Sequence, residues 1–166
     1  MGVDLLMILV MVGTQDKPFT RLLDAVNSYA KNHKEERIIV QRGLTPYESK
    51  YMEIHDFFSP EETDKLISEA DIVITHGGVG TITCAIKYHK PVIAAARLKE
   101  YHEHTNNHQK QIIEKFTDNG YILELKDFSQ LDKLIKEAKT FKPKEFKSNN
   151  KIFVDKLKNK IDSYLK

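Results

Sequence analysis

Short apolar runs that do not alternate with polar residues are the feature that most limits what this chain can fold into. Leu5–Val12 reads "LLMILVMV", Arg37–Gln41 carries "IIV", Ile72–Thr75 is "IVIT" and Pro91–Ala95 is "PVIAA". Successive side chains of a strand point to opposite faces, so a run apolar at every position needs cover on both sides. Strands of that kind belong to parallel sheets layered by helices. The segments between them supply the helices. Phe19–Asn32 places Leu22, Leu23, Val26, Tyr29 and Ala30 on one stripe, the spacing of an amphipathic helix. Ser59 and Glu62 bracket a capping box before a helix that ends near Ala70. Thr81–His89, Thr105–Asn119 and Asp127–Lys139 read as further helices, the second stopped by Gly120. Lys50–Phe57 and Tyr121–Leu125 complete the strands. The expectation is an α/β fold, a Rossmann-like, doubly wound and mostly parallel sheet.

The chain of 166 residues suits one such domain. The first apolar run is too short for a membrane span, which needs about 20 residues. No Lys or Arg precedes it, so it reads as a buried strand, not a secretion signal. A net charge of +2 and the lack of a basic run interleaved with aromatics give no case for nucleic acid. The single cysteine, Cys84, allows no internal disulfide and suits a reducing compartment. The composition shifts at 141–150, "FKPKEFKSNN", which reads as a linker. From Lys151 to Leu165 the pattern is a basic amphipathic helix. The division is therefore 1–140 for the domain and 141–166 for linker and C-terminal helix.

Three loops leave the expected carboxyl ends of strands, where open α/β sheets bind ligands. The first, after Val12, holds Gly13, Thr14 and Gln15. The second is "HGGVGT", His76 to Thr81, with Gly77, Gly78 and Gly80 at the entry to a helix. Glycines let backbone amides approach a ligand, and a helix start offers free N–H groups and a positive dipole end. A phosphate or diphosphate fits that chemistry. A tight turn for packing alone would use the same glycines. The order is neither GxxxxGK[ST] nor GxGxxG, so P-loop and simple NAD readings drop. The third loop, "RLKEYHEHTNNHQKQ", offers Arg97 for phosphate and Asn107, His108 and Gln109, whose side chains suit sugar hydroxyls. His102, His104 and His108 offer a zinc alternative, but their spacing fixes no geometry.

"VGTQDKPFTRLLDAV", "ADIVITHGGVGTI" and "KPVIAAARLKEYHEHTNNHQKQIIEKF" together resemble the donor-binding half of family 28-type glycosyltransferases. The likeness covers about Leu5 to Leu125. It is greatest to the small subunit of two-component enzymes, as in bacterial capsule and exopolysaccharide synthesis and in the cytosolic subunit that adds the second GlcNAc to dolichol-linked oligosaccharide. The resemblance implies a GT-B C-terminal-type domain that binds a UDP-sugar near His76, Gly77, Gly78, Gly80 and Thr81, with the sugar near Asn107, His108 and Gln109. It implies a separate membrane-associated subunit for a lipid-linked acceptor, and a cytoplasmic site at the inner face of the membrane through that partner. It implies no metal or cofactor. The general base is not identified, His76 being one candidate by position. The alternative is a non-catalytic enhancer with weak or no donor binding. Two residues depart from the pattern. Cys84 stands where the related enzymes usually carry a ribose-binding glutamate, so Cys84→Glu is expected to tighten nucleotide binding. His89 replaces the usual glycine before Lys90–Pro91.

Overall fold

The computed structural model describes residues 5–147. Six strands form one sheet in the order β3-β2-β1-β4-β5-β6, and every pairing is parallel. The strands are β1 (Met7–Met11), β2 (Arg37–Gln41), β3 (Glu53–His55), β4 (Ile72–His76), β5 (Val92–Ala95) and β6 (Leu123–Glu124). The helices are α1 (Thr20–Asn32), α2 (Pro60–Glu69), α3 (Val79–Lys87), α4 (His108–Asp118) and α5 (Leu131–Ala138). The strand order reverses between β1 and β4, so a crevice opens at their carboxyl ends.

The unbroken apolar runs are explained by two cores. Ile8 and Val10 pack with Leu22, Val26 and Ile135 on the face covered by α1 and α5. Met7, Leu9 and Met11 pack with Ile67, Ile82 and Ile113 on the face covered by α2, α3 and α4. Ile8, Leu9 and Val10 are wholly buried, each burial contributing roughly 1.5–3 kcal/mol.

Several expected boundaries shift for local reasons. The first strand is Met7–Met11, shorter than Leu5–Val12, because Leu5 is exposed and Val12 already turns toward the rim. The third strand keeps only Glu53–His55 of Lys50–Phe57. It is an edge strand with one neighbour, and beyond Asp56 the chain leaves it so that Phe57 and Phe58 line the crevice. The helix expected at Thr81 starts at Val79, with Gly78 as N-cap, so Gly80 lies in its first turn. The helix expected from Thr105 starts at His108, because Asn106 Oδ1 accepts the His108 amide at 2.9 Å and holds a turn there. The last helix divides into a 3-10 turn at Phe128–Gln130 and α5. At α2 the capping box forms as expected: Ser59 Oγ accepts the Glu62 amide at 3.1 Å and Glu62 Oε2 accepts the Ser59 amide at 2.8 Å.

His89 stands just past α3 with φ of 56°. Its amide donates to Ile86 and that of Lys90 to Ala85, so the helix closes in the left-handed conformation that favours glycine. Of the expected linker, 141–147 carries no helix or strand but lies against the body. The Lys144 amide donates to the Gly120 carbonyl at 3.1 Å, and the Phe146 ring meets Tyr121 at 5.3 Å. The expected C-terminal helix lies outside the described residues.

Candidate functional site

The crevice between β1 and β4 holds about 570 Å³. One wall is built by Gly13, Thr14, His76, Gly78, Gly80 and Thr81, all expected from the sequence. The opposite wall comes from Gln41, Phe57, Phe58, Pro60, Thr63 and Asp64, which sequence reasoning did not select. "DFFS" after β3 was the available signal, since it leaves the same sheet edge.

The glycines of "HGGVG" have different causes. A Cβ on Gly77 would lie 2.6 Å from Gln109 Cβ, so this glycine lets α4 approach. A Cβ on Gly78 would lie 2.4 Å from His76 Cε1, and one on Gly13 would lie 2.5 Å from His76 Nε2. Both glycines make room for one imidazole, and Gly13 also has a φ of 83° that disfavours a side chain. Gly80 differs. A Cβ there meets nothing within 4 Å. The protein's own packing does not require glycine at 80, which lines the open crevice.

The amides of Val79, Gly80 and Thr81 open the first turn of α3, where no earlier carbonyl of the helix can accept them. Gly78, the N-cap, has no side chain to serve them. Gly80 and Thr81 line the crevice, so the start of α3 with its dipole end borders it, an arrangement suited to an anion.

Gln109 lies behind the glycines and is nearly buried. Its Oε1 accepts two amides, Gly77 at 3.2 Å and Arg97 at 3.1 Å. That fixes the carboxamide, and its NH2 then faces His76 Nδ1 at 3.2 Å. Nδ1 must accept, so the proton of the neutral ring sits on Nε2. Burial first, and then the nearby Arg97 cation, lower the His76 pKa to about 4. His76 is therefore a neutral N–H donor at the crevice. In this arrangement its one lone pair is engaged by Gln109.

Arg97, expected to meet phosphate, is wholly buried. It donates to the carbonyls of Val12, Lys17 at 2.6 Å and Glu103 at 3.2 Å, and its guanidinium lies 4.9 Å from the centre of the Phe19 ring. It ties the loops after β1 and β5 together from inside. Burial lowers its pKa to about 10, so it stays cationic at neutral pH. Arg21 braces the same loop through a two-pronged pair with Glu103, at 2.9 and 2.8 Å.

Asn107 and His108 stand outside the crevice. Asn107 Oδ1 accepts the Lys99 amide at 2.9 Å, and His108 Nδ1 lies 3.3 Å from Gln111 Oε1. The structure thus gathers Gly13, Thr14, His76, Gly78, Gly80 and Thr81, places Gly77, Arg97 and Gln109 behind them, and leaves Asn107 and His108 apart. His104 reaches Gln15 at 3.0 Å. Among the described residues no three metal-ligating side chains gather, and no helix is long and apolar enough to cross a membrane.

The family model of the glycosyltransferase family 28 C-terminal domain matches residues 7–163. A UDP-N-acetylglucosamine transferase subunit ALG13 from Candida glabrata is 42% identical over 53 residues, 32% of this chain and 25% of that protein. The match thus spans a quarter of the curated relative's length. The solution structure of ALG13 superposes with a TM-score of 0.56 at 19% identity, covering 89% of this chain and 92% of that one. The glycosyltransferase SnogD from Streptomyces nogalater superposes with a TM-score of 0.61 at 15% identity, covering 84% of this chain and 36% of that one. At these identities the superpositions speak for the fold.

Proposed function

This chain belongs to the glycosyltransferase family 28 C-terminal domain family, and from that premise we propose that it is the donor-binding subunit of a two-chain glycosyltransferase. The donor is a UDP-sugar carrying a hexose or GlcNAc, and the name of the Candida glabrata relative favours GlcNAc. The acceptor is lipid-linked. The reaction belongs to glycan or polysaccharide synthesis, on the cytoplasmic face of a membrane.

One observation carries this reading: the free amides at the start of α3 open onto a crevice at Gly80, where the fold itself has no need of a glycine. The diphosphate sits on those amides, with His76 Nε2–H as a further donor. In the reaction the bond from the anomeric carbon to the UDP oxygen breaks and a bond to the acceptor oxygen forms. The acceptor's proton passes to a base on the partner chain. UDP leaves with added negative charge, which amides and imidazole N–H stabilise. Losing one well-aimed donor of this kind costs roughly 3 kcal/mol of barrier. The residues named act without a metal or cofactor.

Exposed apolar side chains support a partner. Leu44 follows β2, Phe57 follows β3, Val79 follows β4 and Tyr101 follows β5, and each is about half exposed. All four crown the edge of the sheet that bears the crevice. A second domain bearing the acceptor would cover them.

A second reading, a scaffold with weak or no donor binding, draws on Cys84 and on the internal engagement of Arg97 and the Gly77 amide. Calorimetric titration of the full chain with UDP-GlcNAc, UDP-glucose and UDP-galactose in a metal-free buffer tests both. Saturable binding of one of them supports the donor role. No binding, alone or with the acceptor-binding subunit, overturns it in favour of the scaffold.

A further inference from the structure

Asp64 of α2 reaches across the crevice to Cys84 of α3. Its Oδ1 lies 3.8 Å from Cys84 Sγ, and its Oδ2 accepts the Tyr88 hydroxyl at 2.6 Å. Both Asp64 and Cys84 line the crevice. Tyr88 stands one turn beyond Cys84 on the far side of the helix-start amides, so the carboxylate is tethered from that end. Oδ1 faces only a thiol, a weak donor, and a carboxylate oxygen can accept more than one hydrogen bond.

The position along α3 matters. Cys84 follows Gly80 by one helical turn, about 5.4 Å along the axis. A nucleoside diphosphate has its ribose next to its phosphates. With diphosphate on the amides of Val79–Thr81, the ribose falls beside Cys84 and Asp64. The base then extends toward Phe57, whose ring stands exposed on the same wall.

We infer that Asp64, held by Tyr88, accepts the hydrogen bonds of the ribose hydroxyls, and that Cys84 is small and uncharged because the carboxylate arrives from α2. The inference rests on the donor-binding reading. A carboxylate belongs at that point of a nucleotide site, and the chain supplies it from the opposite wall. It reverses the expectation for Cys84→Glu: a second carboxylate beside Asp64 repels the first and weakens nucleotide binding.

The test is calorimetric titration of the full chain with UDP and with 2′,3′-dideoxy-UDP. Wild type is expected to prefer UDP by about tenfold or more, the range of hydrogen bonds to a charged group. Asp64→Asn is expected to bind both equally, at the dideoxy level. Cys84→Glu alone should weaken UDP, and the double variant Asp64→Asn/Cys84→Glu should regain the preference. Asp64 is exposed, so folding is expected to survive, as checked by urea unfolding. If Asp64→Asn keeps the wild-type preference, or Cys84→Glu alone tightens UDP, the Asp64 inference is wrong and donor binding stands. If wild type binds neither nucleotide, the donor-binding reading fails and takes this inference with it.

Discussion

The carboxamide of Gln109 sets the proton of His76. Its oxygen is held by the amides of Gly77 and Arg97, at 3.2 and 3.1 Å, and its NH2 meets His76 Nδ1 at 3.2 Å. One side chain thus joins the glycine turn, the loop after β5 and the imidazole at the crevice. Replacing Gln109 by Leu leaves two buried amides without an acceptor. Each orphaned group costs about 1–3 kcal/mol, so the variant is expected to lose at least 2 kcal/mol of stability in urea unfolding.

The imidazole gives a pH dependence with a definite sign. His76 has a folded pKa of about 4, below its ordinary 6.5, chiefly through burial. The unfolded chain therefore binds a proton more readily. The contribution is complete above pH 6.5 and is lost as pH falls toward 4. Each unit of that gap corresponds to roughly 1.4 kcal/mol. Urea unfolding at pH 7.5 and pH 5 should show the wild type losing more stability than His76→Gln. Equal losses would contradict the assignment of a buried neutral ring.

Gly80→Ala separates folding from binding. Open space around the site predicts no clash, and alanine in a first helical turn favours the folded state by up to about 1 kcal/mol. The methyl group would enter the crevice where the proposed donor's diphosphate is to sit. The variant is expected to melt at or above the wild-type temperature while its UDP affinity falls tenfold or more in calorimetry. Gly78→Ala, facing His76 at 2.4 Å, should instead lose stability.

Arg97→Met tests the buried cation. It removes the donors to Val12, Lys17 and Glu103 while keeping most of the volume. Each buried carbonyl left without its donor costs about 1–3 kcal/mol. Urea unfolding is expected to show a loss of that order, and proteolysis should cut first in the loop between β5 and α4.

His89→Gly should stabilise the protein. The left-handed conformation at φ 56° costs a residue with a Cβ about 1–2 kcal/mol, offset in part by the greater freedom of glycine when unfolded. A net gain of about 0.5–1 kcal/mol in thermal or urea unfolding is expected.

The sequence by itself determined the layers. Runs such as Ile8–Leu9–Val10 bury both faces, and their shortness, with helical stripes between them, points to a sheet covered twice. The helix stripes and the capping box at Ser59 and Glu62 are local patterns, so they too were legible. So was the glycine turn after β4, since glycine spacing and helix starts are written in consecutive residues. Boundaries at β3, α3 and α4 were less legible: edge pairing at β3 depends on a neighbour strand, and the turn at Asn106 is one of several that the same local residues allow. Only the tertiary structure decided what each polar residue does. Arg97 turned inward because the carbonyls of Val12 and Lys17 lie within its reach, 85 and 80 positions away in the chain. Gln109 became a clamp for the same reason, and Asp64 met Cys84 because α2 and α3 pack side by side. A periodicity records which face is dry, whereas the partner of a hydrogen bond is fixed by distance in space, and distance exists only once the chain has closed.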